Sequence, residues 1–306
     1  MNNTKKQINN KKRIHKKKKR NLYAYADVIL IIIIIFAIVL FFKTRNNENN
    51  NSNNFNNSNK INNSNENKST LENEKYYKKE KKERYISYQE KNKELDIEKI
   101  ITYVNIGLDQ DYYTNIEDSP NKHTNIVLVN KYHYLGEDYV PKNLTRISNK
   151  YAISEDKYME HDAAVAFEDM AKAAQKEGYK IVAVSTYRSY NYQKNLYNNY
   201  VSADGKEKAD KYSARPGYSE HQTGLAVDVS NNKKSYTKFG ETEEFNWMKN
   251  NCYKYGFILR YTEENEFITG YISEAWHYRY VGIDIATYIH NNPMTFEEYY
   301  VKFIEK

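Results

Sequence analysis

Residues 219–228 have the sequence SEHQTGLAVD, and further along the chain residues 274–277 have the sequence EAWH. In the second half of the first segment, large apolar side chains alternate with small or polar ones, which is the period of a β-strand. This alternation turns Asp228 away from its large apolar neighbours, and Gly224 permits the tight turn by which a loop enters the strand. The first segment therefore predicts a loop carrying His221 that leads into a strand carrying Asp228.

The second segment opens another predicted strand, Trp276–Tyr280. Alternation along this strand places His277 on the same face as Arg279, with the aromatic residues on the opposite face. Glu274 lies just before the strand, from where its side chain can reach past a ligand bound at His277. We therefore expect this segment to contribute an imidazole and a carboxylate to one site.

Together the two segments have the chemistry of a catalytic zinc centre. Such a centre usually has three protein ligands, drawn from imidazoles and carboxylates, and a nearby acid or base. His221, Asp228 and His277 are the candidate Zn2+ ligands. Glu274 is the candidate base, which takes a proton from water and delivers it to a leaving amine. Each residue alone is more often structural, but the set predicts a zinc-dependent hydrolase.

A third segment, Ser185–Tyr190, follows an apolar run and contains Arg188. An arginine at the end of a strand is suited to holding a carboxylate through a bidentate fork. Gln193 shares that pocket if residues 190–202 form a helix that begins there. The alternative is a surface arginine packed against aromatic residues, which this segment by itself slightly favours.

From residue 98 onward the sequence mixes helices and strands without the regular alternation of a doubly wound sheet. Helices are predicted over residues 156–177 and 241–255, and Thr295–Glu298 is a capping box that opens a last helix. Further strands are predicted at Ile126–Val129, Lys180–Ser185 and Phe257–Tyr261. The predicted fold class is α+β, with a small antiparallel sheet and flanking helices that carry the zinc cleft.

The N-terminal part has the composition of a membrane anchor. Residues 1–21 form a basic tail, and residues 22–42 form an apolar run of roughly the ~20 residues that span a bilayer, with Asp27 near its cytoplasmic end. The positive-inside rule places the N-terminus in the cytoplasm and everything after Lys43 outside. A cleaved signal peptide is the alternative, but residues 41–45 offer no small-residue cleavage site, and the flanking charges argue against a buried core helix. We therefore expect a single-pass signal-anchor in the cell membrane, with the catalytic part outside.

Residues 43–97 are expected to tether the catalytic domain, residues 98–306, above the membrane. The Asn-rich residues 46–70 can bury almost nothing and are predicted to be disordered. The Lys/Glu-rich residues 71–97 form either a solvated spacer or an exposed helix. A long tether suits an enzyme whose substrate lies some distance from the lipid.

Charge and cysteine content narrow the classes of function. Residues 1–45 contain twelve Lys or Arg and one acid, so the rest of the chain is mildly acidic although the net charge is +7. The positive charge belongs to the N-terminal tail and is no evidence for nucleic-acid binding. Cys252 is the only cysteine, which excludes an internal disulfide and a cysteine-based zinc site.

These segments resemble a known family. The sequences SEHQTGLAVD at 219–228, GFILRY at 256–261 and EAWHYRY at 274–280 are similar to motifs of the VanY-type D-alanyl-D-alanine carboxypeptidases, in the M15 zinc peptidase family. The resemblance covers roughly residues 125–282. The roles that it implies are zinc binding by His221, Asp228 and His277, catalysis by Glu274 as the base, and substrate binding by Arg188, Gln193 and Ser219.

The resemblance also implies how the substrate is held. Arg188 stands in a Tyr-Arg-Ser motif whose arginine, in the family, holds the terminal carboxylate, and Ser219 and Gln193 match polar positions that line that pocket. Two residues depart from the family pattern: Ala275 stands where Pro is frequent, and Thr186 where Gly is frequent. Neither replaces a ligand, but Thr186 is expected near the substrate carboxylate, where it would affect side-chain preference.

The function implied by the resemblance is that of a membrane-anchored zinc carboxypeptidase that removes the C-terminal D-Ala from peptidoglycan stem peptides. Three substrates compete: the pentapeptide ending in D-Ala-D-Ala, the tetrapeptide with L-Lys or diaminopimelate before a single D-Ala, and an internal bond cut by an endopeptidase. A carboxylate held by Arg188 disfavours the third, because an internal bond has no such group. A non-catalytic module that binds wall peptides is the remaining alternative, against which the complete set of catalytic groups argues.

Overall fold

The structure is a computed structural model, and it describes residues 71–305, which lie within one compact unit. The predicted basic tail, the predicted membrane span at 22–42 and the Asn-rich part of the predicted tether lie outside the described residues. Among the helices of residues 71–305, none has the length and apolar character needed to cross a bilayer.

A four-stranded antiparallel sheet lies at the centre of the described unit. It is built from β5 (Val182–Ser185), β6 (Ala226–Ser230), β7 (Phe257–Leu259) and β8 (His277–Tyr280), in the order β5-β6-β8-β7. Two short pairs accompany it: β1 (Glu117–Asp118) runs parallel to β2 (His133–Tyr134), and β3 (Leu144–Arg146) runs antiparallel to β4 (Tyr158–Glu160). The predicted small antiparallel sheet of an α+β fold is confirmed.

Helices surround this sheet. The α-helices are α1 (Lys82–Lys91), α2 (Ile97–Ile106), α3 (His161–Lys176), α4 (Tyr190–Asp204), α5 (Lys206–Tyr212), α6 (Glu243–Asn251), α7 (Glu266–Thr269), α8 (Ile283–Asn291) and α9 (Phe296–Tyr299). Short 3-10 turns lie at Leu71–Asn73, Lys79–Lys81, Glu220–Thr223, Tyr236–Glu241, Cys252–Tyr255 and Glu263–Asn265, and a π-turn at Tyr300–Ile304 follows α9. The predicted capping box at Thr295 and Glu298 is confirmed at the start of α9.

The main core lies between α3 and the central sheet. The helix buries the face that its apolar period predicts, which consists of Ala163, Phe167, Met170, Ala171 and Ala174. These side chains belong to the same buried cluster as Val227 and Val229 of β6 and Tyr278 of β8. The helix begins at His161 rather than at residue 156, because residues 158–160 pair with β3.

The strand predicted at Ile126–Val129 is wrong. Val127, Leu128 and Val129 are buried, as the apolar run requires, but their backbone is irregular. The carbonyl oxygen of Val127 accepts a hydrogen bond of 2.7 Å from Arg279 Nη2 instead of pairing with a strand. An apolar run of this length shows burial but not its backbone partner, and here a guanidinium takes the place of a strand neighbour.

Residues 82–97, which the sequence analysis assigned to the tether, are folded. Helix α1 packs Tyr85 and Tyr88 against the apolar side chains Ile100, Ile101 and Val104 of α2. Tyr85 is fully buried and donates a 2.7 Å hydrogen bond from its hydroxyl to Asn105 Oδ1. Tyrosines three positions apart lie on one face of a helix, so a segment rich in Lys and Glu still has a side that can be buried. The folded unit therefore extends further toward the N-terminus than the predicted boundary at residue 98.

Candidate active site

Three neighbouring strands bring the predicted site residues to one face of the central sheet. In the antiparallel register, Asp228 lies opposite His277 on β8 and Ser185 on β5. Side chains that lie directly opposite each other across a strand pair point to the same face. The neighbouring residues Val227 and Tyr278 point into the core instead, with no exposed surface. The predicted alternation on both strands is thus confirmed.

His221 reaches the same face from the 3-10 turn Glu220–Thr223. The turn ends at Gly224, whose φ of 73° is left-handed, and a Cβ there would lie 3.0 Å from the backbone nitrogen of Glu160. Glycine is therefore required both for the backbone conformation and for the close approach to β4. The carbonyl oxygen of His221 accepts a 3.1 Å hydrogen bond from the amide of Arg188, which joins this turn to the segment that follows β5.

The three predicted ligand side chains converge. One ligand atom from each of His221, Asp228 and His277 lies within 4.8 Å of the other two, and all three residues are buried. Asp228 Oδ2 is 3.3 Å from His221 Nε2, and Asp228 Oδ1 is 3.1 Å from His277 Nδ1. The carboxylate therefore lies between the two imidazoles.

The hydrogen bonds of the two histidines suit metal binding. His221 Nδ1 lies 2.7 Å from the carbonyl oxygen of Thr186, so this nitrogen carries the proton and Nε2 presents its lone pair to Asp228. His277 Nε2 lies 3.1 Å from Glu220 Oε2, which leaves Nδ1 on the side of Asp228. Metal-binding histidines almost always donate their second ring N–H to a carbonyl or carboxylate. Two such imidazoles and one carboxylate fit a Zn2+ site with a position left for substrate or water.

Burial and charge set the protonation of the ligands. Burial, with a smaller contribution from the nearby Arg188, lowers the pKa of His221 to about 4, so this imidazole is neutral at pH 7. Burial alone would raise the pKa of Asp228, but the two histidines hold it well below its usual range. Burial opposes the charge on His277 as well, yet its hydrogen bonds with Asp228 and Glu220 raise its pKa to about 9. A cation and a proton therefore compete for His277 Nδ1.

Glu274 lies beside this group. Its carboxylate is mostly buried and its Oε2 is 3.7 Å from His277 Nδ1. Burial, with a smaller contribution from the negative charge of Asp228, raises the pKa of Glu274 to about 7. A carboxyl group whose pKa lies near neutrality is suited to taking up and releasing protons. Its position and its protonation thus match the predicted base.

Arg188 lines the same cleft. Its Nη1 donates a 2.9 Å hydrogen bond to Ser185 Oγ and lies 3.6 Å from Asp228 Oδ2. Its Nε is buried and has no hydrogen-bond partner among the described residues. Because buried polar groups are normally satisfied, an unpaired guanidinium N–H at a cleft indicates a place for an anionic ligand.

The other residues predicted at or near the substrate are Ser219, Gln193 and Thr186, and their positions in the structure differ. Ser219 lines the cleft, as predicted. Gln193 is fully buried behind the cleft wall, where its Nε2 donates a 2.7 Å hydrogen bond to the carbonyl oxygen of Ala214. Thr186 accepts a 3.1 Å hydrogen bond at its hydroxyl from the amide of Tyr158, so this side chain is tied to β4. Neither Gln193 nor Thr186 is among the residues that line the cleft, and Gln193 Oε1 has no hydrogen-bond partner among the described residues. A contact between Gln193 and the substrate stays a prediction.

The cleft has a volume of about 260 Å³ and a wall that is largely aromatic. Besides the candidate catalytic residues, its lining includes Leu196, Tyr200, Tyr212, Tyr236, Tyr261, Tyr271, Ile272 and Trp276. The lining thus combines charged side chains with apolar and phenolic ones. This combination is typical of pockets that bind a small ligand and orient it through a few polar groups.

A group of buried charges that was not predicted from the sequence lies behind His277. Glu220 Oε1 accepts hydrogen bonds from Arg260 Nε at 2.9 Å and from Arg279 Nη1 at 3.0 Å. Arg260 in turn forms a bidentate pair with Glu297, which belongs to α9. Burial opposes ionisation of Glu220, but the two arginines hold its pKa well below the usual range. Two features of the sequence pointed to this group of charges. Glu220 is next to His221, and Arg279 shares a strand face with His277.

Comparison with known proteins gives consistent similarities. A family model described as VanY, D-alanyl-D-alanine carboxypeptidase, matches residues 156–283. A protein of Bacillus subtilis (strain 168) named putative carboxypeptidase YodJ is 41% identical over 208 residues, which is 64% of this chain and 76% of that protein.

Solved structures agree with this similarity. The LdcB LD-carboxypeptidase has a TM-score of 0.58 and 43% identity, and the match covers 63% of this chain and 92% of that one. A mutant of the vancomycin resistance D,D-pentapeptidase VanY, from a VanB-type cassette and in complex with Zn(II), has a TM-score of 0.50 and 32% identity. That match covers 57% of this chain and 98% of the other.

Proposed function

This chain belongs to the VanY family of D-alanyl-D-alanine carboxypeptidases, and on this premise we propose that it is a zinc-dependent carboxypeptidase that removes the C-terminal D-Ala from peptidoglycan stem peptides. The observation that carries the proposal is the convergence of His221, Asp228 and His277 beside Glu274. Both the ligand set and an acid/base group of suitable pKa are therefore present in one cleft.

The proposed hydrolysis requires a Lewis acid, which is the metal, and a base, which is the side chain of Glu274. His221, Asp228 and His277 would hold Zn2+, which would supply a Lewis acid for the scissile carbonyl and for the attacking water. Glu274 accepts the proton of the attacking water and delivers it to the leaving amine of D-Ala. Its pKa of about 7 allows both steps, because the group gives up and regains a proton at little cost near neutral pH.

Arg188 determines that cleavage occurs at the chain end. Its guanidinium is held by Ser185 and has an N–H without a partner, so it binds the carboxylate of a terminal D-Ala. An internal peptide bond offers no such anion, and its binding would leave the arginine unpaired at a cost of about 1–3 kcal/mol. This argument favours a carboxypeptidase over an endopeptidase. A module that only binds wall peptides would need neither Glu274 nor the ligand set.

The substrate has two candidates. The primary proposal is the pentapeptide that ends in D-Ala-D-Ala, which matches the family to which the chain belongs. The second is the tetrapeptide with a single D-Ala, and it is favoured by the likeness to the LdcB LD-carboxypeptidase, which has the higher identity and TM-score of the two structures compared. Both reactions release D-Ala and use the same catalytic residues.

The proposal includes the place of the reaction. Residues 22–42 anchor the chain in the cell membrane, with the N-terminus in the cytoplasm and the catalytic unit outside, where stem peptides are found. Support comes from the apolar run and from the basic residues that precede it. The anchor and its orientation rest on the sequence alone.

A direct test uses the full-length chain in detergent micelles with synthetic stem peptides. One ends in D-Ala-D-Ala and the other in a single D-Ala, and release of D-Ala is followed by mass spectrometry. We expect release that stops when a zinc chelator is added and returns when Zn2+ is restored. The ratio of the two rates decides between the substrates. Zinc-loaded protein that releases D-Ala from neither peptide would overturn the proposal.

A further inference from the structure

We propose that Glu220 is the positioning residue of the metal centre: its carboxylate holds His277 in the tautomer and orientation in which Nδ1 is the ligand atom. This inference rests on the proposed function, since it assumes a cation between His221, Asp228 and His277. Glu220 is adjacent to His221 in the chain, and none of the catalytic steps described above uses its side chain.

The contact itself is specific. Glu220 Oε2 lies 3.1 Å from His277 Nε2, and the side chains of both residues are almost completely buried. An ionised carboxylate can only accept hydrogen bonds, so Nε2 of this imidazole must be the protonated nitrogen. When a cation is bound, His277 is neutral, and its remaining lone pair is on Nδ1, the atom that faces Asp228.

The two oxygens of Glu220 have separate partners. Oε1 accepts from Arg260 and from Arg279, whereas Oε2 has His277 as its hydrogen-bond partner among the described residues. Arg279 is itself fixed, because its other N–H groups donate to the backbone oxygens of Tyr280, Asn125 and Val127. The carboxylate therefore cannot rotate without breaking two charged hydrogen bonds, and Oε2 stays directed at the imidazole.

The surrounding charges form a closed set. Glu220, Arg260, Arg279 and Glu297 are each exposed by 2% or less, and every one of them is paired. Buried charges cost stability when they lack partners, and a fully satisfied network is rigid. This network joins the turn that carries His221, the strand that carries His277, and α9. It thereby fixes the distance between two of the three ligands.

Replacement of Glu220 by glutamine would remove a charge and would also change the tautomer of His277 that the contact favours. In Glu220→Gln the amide oxygen is needed by the two arginines, which can only donate, so the amide NH2 is left facing His277. An NH2 group requires an acceptor, which places the lone pair on Nε2 and the proton on Nδ1. The favoured tautomer of His277 is then reversed, and its ligand atom is blocked. Loss of such an outer contact typically weakens metal affinity about 10–100-fold.

The test compares Glu220→Gln with Glu297→Gln in the full-length chain. The second substitution removes a charge from the same network but touches Arg260 rather than His277. The zinc dissociation constant is measured by competition with a chromophoric chelator, and the thermal midpoint is measured alongside. We expect both variants to lose stability and only Glu220→Gln to lose zinc affinity, by about 10–100-fold. Equal zinc affinity in Glu220→Gln and wild type, or equal weakening in both variants, would overturn the inference.

A second measurement does not depend on the variants. In zinc-loaded wild-type protein with 15N-labelled histidine, the ring nitrogens of His277 should show a proton on Nε2 and none on Nδ1. The opposite tautomer would overturn the assignment of Glu220 even if Glu220→Gln fails to fold. A wild-type chain that binds no zinc, or releases no D-Ala when loaded, would instead contradict the proposed function, so the two failures are distinguishable.

Discussion

The two faces of the central sheet are made from alternate residues of the same strands, and they have opposite properties. On one face Asp228, His277 and Glu274 are buried, and the half-buried Arg188 lies beside them. On the other face Val227 and Val229 belong to the same buried hydrophobic cluster as the apolar side chains of α3. The apolar face stabilises the fold, and the polar face places unlike charges within a few ångströms at a cost in desolvation.

Stability and chemistry are therefore divided residue by residue within one strand. Val227 and Asp228 are adjacent in the chain, yet we expect substitutions at the two positions to affect different measurements. A change on the apolar face should alter the free energy of unfolding, and a change on the polar face should alter catalysis or metal binding.

The largest effect is expected on the polar face from Glu274→Gln. The amide keeps the size of the side chain but cannot accept the proton of the attacking water, so D-Ala release should fall by about 10²–10⁴-fold. Zinc content, measured by atomic absorption, should remain that of the wild type because Glu274 is not one of the three converging ligands. Release at the wild-type rate from a zinc-loaded Glu274→Gln sample would show that another group is the base.

The next largest effect on catalysis is expected from Arg188→Ala. Removal of one partner of a buried charged hydrogen bond costs about 2 kcal/mol or more, so kcat/KM should fall about 30-fold or more. The matched control is a substrate whose C-terminus is an amide. The wild type should lose a similar factor on that substrate, and the Arg188→Ala variant should hardly distinguish the two peptides. Full discrimination against the amide by Arg188→Ala would mean that a different residue binds the carboxylate.

On the apolar face, Val227→Ala should lower the free energy of unfolding by about 2 kcal/mol, from lost methyl burial and the cavity that remains. Chemical denaturation measures this change. Because the neighbouring Asp228 keeps its backbone position and its pairing with His277, kcat/KM in the folded variant should be close to that of the wild type. A loss of zinc binding in Val227→Ala would show that the two faces are coupled.

The smallest effect on kcat/KM is expected from a change of pH. Burial raises the pKa of Glu274 to about 7, and the base must be ionised to accept a proton, so kcat/KM should decrease as the pH falls. A bound cation favours the carboxylate, which places this acid limb at or below about pH 7. The limb should disappear from the residual activity of Glu274→Gln. Its persistence in that variant would assign it to another group.

Several features could be predicted from the sequence because they depend on local geometry. The period of two on the strands of Asp228 and His277, the apolar face of α3 and the capping box at Thr295 are all confirmed. The errors concern features that local patterns do not contain. Ile126–Val129 is apolar enough for a strand but is bound by Arg279 instead, and α1 has a buried face made by two tyrosines in a polar segment.

By itself, the sequence determined which residue types are available for the site and which side of each strand they occupy, since alternation follows from the backbone of a single strand. Only the tertiary structure decided which nitrogen of each histidine faces the site, and that Gln193 is fully buried and donates to the carbonyl oxygen of Ala214. It also decided that Arg260 and Glu220 form a buried pair. These contacts join residues far apart in the chain, so they depend on strand register and on the packing of α9, which no local pattern specifies.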